Sequence, residues 1–90
     1  MEFKITLSNE EQVFEVKEAT RKEVMQLAAL VRCLYHGEKY DSAVLIKLHE
    51  LVENVSGLGT DSGFLALPVF HQSFALEHLA HMYIGGLPGN

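Results

Sequence analysis

The sequence predicts an α+β domain, an N-terminal β-hairpin followed by three α-helices around a single core. Three observations carry this. Apolar residues alternate strictly over residues 2–7 and again up to Lys17, and from Val24 onward the apolar spacing changes to three and four residues. Ninety residues, 48% of them apolar, suffice for one hydrophobic core and not for two. Residues 1–86 are therefore expected to form one domain, and 87–90 a loose C-terminal tail.

Phe3, Ile5 and Leu7 share one face of the first strand, with Glu2, Lys4 and Thr6 on the other. Ser8-Asn9-Glu10-Glu11 has turn chemistry, and Gln12 to Lys17 resumes alternation through Phe14 and Val16, although Val13 falls on the wrong side. A lone hairpin is marginal in water, so the Phe3, Ile5, Leu7, Phe14 and Val16 face must lie on helices or pair with another strand. Its two open edges are a second place where chains can meet.

Thr20-Arg21-Lys22-Glu23 matches a capping box and starts the first helix. Val24, Leu27, Val31 and Leu34 form its stripe, flanked by Ala28 and Tyr35. The spacing ends the helix near His36, with Gly37 as a left-handed cap. Asp41 is the next N-cap, with Tyr40 and Leu45 spaced as a hydrophobic staple, and Val44, Leu48, Leu51 and Val55 continue the pattern. Gly57, Gly59 and Gly63 break Ser56 to Gly63 into a loop. Pro68 suits the first turn of a third helix that runs to Ile84, where Gly85-Gly86 stops it.

Seven Lys and Arg against twelve Asp and Glu give a formal net charge of -5, which disfavours non-specific phosphate binding and excludes nucleic acid as the expected partner. Every Lys and Arg lies at or before Lys47. The remainder holds Glu50, Glu53, Asp61 and Glu77 with histidine as its only basic residue. A single cysteine, Cys33, forms no internal disulfide and reads as a half-buried structural thiol. With neither a signal-like apolar N-terminus nor a membrane-length apolar run, a cytoplasmic protein that does not enter membranes is expected.

The third helix is the unusual one. At ~100° per residue, Val69, Leu76, Leu79, Ala80 and Tyr83 project to a core side. The opposite side gathers Phe70, His71, Phe74, Glu77, His78 and His81, where a solvated helix would show Lys and Glu. Neutral imidazole is cheap to desolvate yet keeps a donor and an acceptor, so Phe70, His71, Phe74, His78 and His81 suit a protein-partner interface. Glu77, His78 and His81 have spacing compatible with one metal ion, but dedicated sites draw ligands from two elements, and a second copy of the chain would have to complete the set. Protonation of His49, His71, His78 and His81 on acidification would offset the four acidic charges of this half. His36 and His49 suit a helix end and helix packing, respectively.

Thr60-Asp61-Ser62-Gly63 resembles, over three residues, the Gly-Asp-Ser-Gly nucleophile segment of trypsin-like serine proteases. The double barrel of that family is far longer than ninety residues, so the segment reads instead as an Asx- or Ser-turn with glycines at positive φ. No cofactor signature occurs. The sequence thus points to a small acidic, non-enzymatic binding protein of accessory, inhibitor or assembly-factor type. It is expected to self-associate through the Phe/His face or a hairpin edge. A ligand-sequestering or histidine metal module built by oligomerisation is the alternative.

Overall fold

The computed structural model of the chain describes residues 1–36 and 39–85, with His36 described in its backbone alone. Strands β1 (Glu2–Leu7) and β2 (Glu10–Glu15) pair antiparallel, with Phe3 opposite Phe14 and Leu7 opposite Glu10. The turn is two residues long, shorter than expected. Ser8 and Asn9 both adopt positive φ, 50° and 65°, the left-handed pair that matches the twist of a tight hairpin and lets Glu10 and Glu11 join the ladder at once. Phe3, Ile5, Leu7, Phe14 and Val16 are all buried, as alternation requires, whereas Val13 points outward.

The capping box opens α1 (Arg21–Cys33): Thr20 Oγ1 accepts from the Glu23 amide at 3.2 Å, and Glu23 Oε1 accepts from the Thr20 amide at 2.8 Å. The helix stops three residues before the expected end near His36. Leu34 is the last stripe residue to reach the core, and the chain then forms a second hairpin, β3 (Tyr35–His36) against β4 (Lys39–Tyr40). Tyr35 faces Tyr40 across this ladder with ring centroids 6.3 Å apart, an aromatic cross-strand pair that competes with another helical turn. The Asp41 amide donates to Leu34 O at 2.8 Å and closes the base of the hairpin. Tyr35 is consequently exposed rather than lying beside the core stripe. The expected Gly37 cap, the Gly86 stop and the 87–90 tail lie outside the described residues.

Asp41 caps α2 (Ser42–Ser56) as expected, its Oδ1 accepting from the Ala43 and Val44 amides. Leu48 and Val55 are buried together with Val52, and Val44 and Leu51 are half-buried. Gly57, at φ 86°, ends the helix in the left-handed conformation. The segment expected as an open loop is instead folded, with a 3-10 turn at Leu58–Thr60 and a short α3 (Ser62–Leu65). Glycine composition signalled a break, but Leu58 and Phe64 are each fully buried and pull the segment into the core. Asp61 is an Asx-type cap whose Oδ1 accepts from the Gly63 and Phe64 amides, and of the glycines here only Gly57 has positive φ. The Ser56 hydroxyl, buried, donates to Val52 O and accepts from the Leu58 amide, which joins the two pieces.

Pro68 stands immediately before α4 (Val69–Ile84) rather than within its first turn. The Gln72 side-chain amide donates to Leu65 O and Leu67 O and fixes the entry to the helix. Helices α1, α2 and α4 pack on one another, and β1 lies against α4. Phe14 meets Phe64 edge-on at 5.9 Å, the Lys17 amide donates to Ser56 O, and the Tyr83 hydroxyl donates to Lys17 O. The radius of gyration, 12.9 Å, is near the roughly 12 Å of a single domain of this length, so hairpin and helices share one core.

Candidate functional site

Helix α4 is apolar on two sides but buries only one. Ala75, Leu76, Leu79, Ala80 and Tyr83 are buried against the other helices and the hairpin. Val69, expected with them, is 77% exposed. Periodicity assigned it the right side of the helix but carried no information on where the covering elements end along the axis.

On the other side, Phe70 is 78% exposed and Phe74 46% exposed, one turn apart on the same face. Leu65 at the end of α3 is also exposed, and with Val69 it extends apolar surface around the start of the helix. The histidines differ in their engagement. His71 is half-buried, its Nε2 3.3 Å from Ser8 Oγ, so it ties the hairpin turn to α4. His78 is exposed, with its ring centroid 6.2 Å from that of Phe3 and 6.1 Å from that of Phe74. His81, one turn on, is exposed.

Glu77 leans toward α2. Its Oε1 is 3.7 Å from His49 Nε2, a buried nitrogen without a hydrogen-bond partner, and its side chain remains 46% exposed. The expected packing role of His49 is thus accompanied by an ionisable contact across the α2–α4 seam. With Glu77 turned to His49 and His78 placed by Phe3 and Phe74, no group of three or more His, Cys, Asp or Glu among the described residues is arranged for a metal ion. The Glu77, His78 and His81 set is therefore not arranged to hold a metal ion within one chain.

Phe74, Glu77, His78 and His81 nevertheless meet around one feature. They line a cavity of about 260 Å³ whose remaining walls are Val31 and Leu34 from the end of α1, Leu48 of α2 and Tyr35 of β3. Phe70 and His71 lie outside it. Tyr35 escaped the sequence reading because its placement depends on α1 ending at Cys33; the available signal was the symmetric Tyr35 and Tyr40 pair flanking Gly37.

Among the described residues two ionisable groups are shifted, and both are structural. Burial, reinforced by the Glu23 carboxylate, pushes the Tyr83 phenol up to about 12, which keeps it a neutral donor to Lys17 O. Hydrogen bonds from the Thr20 amide and hydroxyl hold the Glu23 carboxyl below its ordinary value. Cys33 is exposed, not half-buried as expected, because α1 turns that flank to solvent. No described helix is long and apolar enough to cross a membrane. No protein-family model matches the chain, and neither a curated protein nor a solved structure matches it.

Proposed function

We propose that this chain is a small acidic, non-enzymatic protein-binding module, an accessory, inhibitory or assembly-type factor, that presents the Phe70, His71, Phe74, His78 and His81 face of α4 to a protein partner and to a second copy of itself. The observation that carries the reading is the exposure of Phe70, 78%, and Phe74, 46%, on a helix that already buries Ala75, Leu76, Leu79, Ala80 and Tyr83 on its other side. Other exposed apolar residues, such as Val13, Met25 and Ile46, stand on three separate elements, as is ordinary for a surface. A reducing, cytoplasmic setting suits the exposed thiol of Cys33.

The magnitude of the effect sets the strength of the contact. Covering a fully exposed Phe contributes about 1.5–3 kcal/mol, so Phe70 and part of Phe74 supply only a few kcal/mol per copy, against an association cost of about 4–15 kcal/mol for the pair. Self-association through this face is therefore weak and reversible, and further contacts are needed for a tight complex. Sedimentation velocity across a concentration series tests this. The wild-type chain should show a rising average mass at high concentration, and a Phe70→Ser, Phe74→Ser variant should stay monomeric. A wild-type chain that remains monomeric throughout, or a double variant that associates equally well, would refute the reading.

A further inference from the structure

The cavity beside Phe74 specifies what the partner must bring. Building on the α4-face reading, we propose that it receives a single arginine side chain presented by the partner protein. At about 260 Å³ it lies at the small end of the roughly 300–1,000 Å³ range of ligand sites and has room for one anchoring side chain. Val31, Leu34 and Leu48 make part of the wall apolar, which suits an aliphatic stem; the rings of Tyr35, Phe74, His78 and His81 and the carboxylate of Glu77 make up the rest.

Charge selects the head group. Among the described residues, Glu77 is the only carboxylate in the lining, which holds the imidazoles of His78 and His81 but no Lys or Arg, and the chain beyond Lys47 carries neither Lys nor Arg. Its polar neighbour, His49 Nε2, is 3.7 Å away, beyond hydrogen-bond length, so the carboxylate retains accepting capacity. An apolar side chain would strip water from Glu77 without replacing its hydrogen bonds, which is costly, whereas a cation replaces them. Guanidinium is favoured over ammonium because it is planar, weakly hydrated and stacks on aromatic rings while donating to a carboxylate.

The test is a titration of the full ¹⁵N-labelled chain with N-acetyl-arginine amide, followed by amide chemical shifts, beside the citrulline amide, which has the same shape without the charge, and the lysine amide. Arginine is expected to shift Tyr35, Phe74, Glu77 and His78, with citrulline about tenfold weaker or more. Glu77→Gln, a change on a half-exposed side chain, should erase the difference between the two probes while leaving the melting temperature in place. Citrulline or lysine binding as well as arginine, an arginine preference that survives Glu77→Gln, or an absence of shifts around the cavity would overturn the proposal. If any of these outcomes occurs while the wild-type chain associates and the Phe70→Ser, Phe74→Ser variant stays monomeric, the arginine site falls and the α4-face reading stands.

Discussion

Phe70 and Phe64 illustrate how one residue type takes two roles in this chain. Phe64 is fully buried against the hairpin, and Phe64→Ala should cost about 3–5 kcal/mol of unfolding free energy. Phe70 is 78% exposed, so Phe70→Ser should change stability by no more than about 0.5 kcal/mol, measured by urea denaturation. A large loss at Phe70 would mean that the ring holds the fold together and is not held for a partner. The buried polar residue Ser56 serves both α2 and the 3-10 turn, and Ser56→Ala strands the buried Leu58 amide at a cost of about 1–3 kcal/mol in the same assay. Tyr83 adds a pH signature. Its phenol is raised from an ordinary value of 10.0 to about 12 in the folded chain, so its contribution is complete below pH 10 and is lost as pH rises toward 12. Urea midpoints should therefore fall less steeply over that window in Tyr83→Phe than in the wild type.

The hairpins and helix ends show how far local rules reach. The capping box at Thr20 and Glu23, the Asp41 cap, and the alternation of β1 were all legible because each is decided by neighbours within four residues. The end of α1 was not, since Tyr35 chooses between a further helical turn and a cross-strand partner five residues on. The folded Ser56–Gly63 segment was missed for a related reason. Glycine content describes backbone freedom, whereas Leu58 and Phe64 decide the outcome by burial against elements distant in sequence. Two substitutions test this level. Asn9→Gly supplies the residue best suited to a φ of 65° in the two-residue turn, and should raise stability by about 0.5–1 kcal/mol with the melting temperature following. Gly57→Ala, at φ 86° but with its nearest foreign atom, Lys17 Cε, at an unobstructed 3.7 Å, should lower stability by about 1 kcal/mol from backbone conformation alone.

At the scale of the molecule, the sequence separated the two sides of α4 correctly for most of its length. Leu76, Leu79, Ala80 and Tyr83 are core, and Phe70, Phe74, His78 and His81 are exposed. Helical projection does this well because it needs only the period. It cannot report which neighbouring elements cap each end, and so Val69 was misplaced, His71 was not connected to the hairpin turn, and the cavity shared with Tyr35, Val31 and Leu34 was invisible. The folded chain exposes Tyr35 and Phe74 where three helices and a small hairpin converge, and Phe70 one turn before Phe74 on α4, a helix that has Glu77 and three histidines but no Lys or Arg. The most direct measurement of whether that surface is a contact site is a dilution series of ¹⁵N–¹H spectra of the wild-type chain. The account predicts concentration-dependent shifts concentrated at Phe70, His71, Phe74, His78 and His81, with the outer face of β1 and β2 unchanged. Shifts confined to the hairpin, or spectra that superimpose at every concentration, would contradict it.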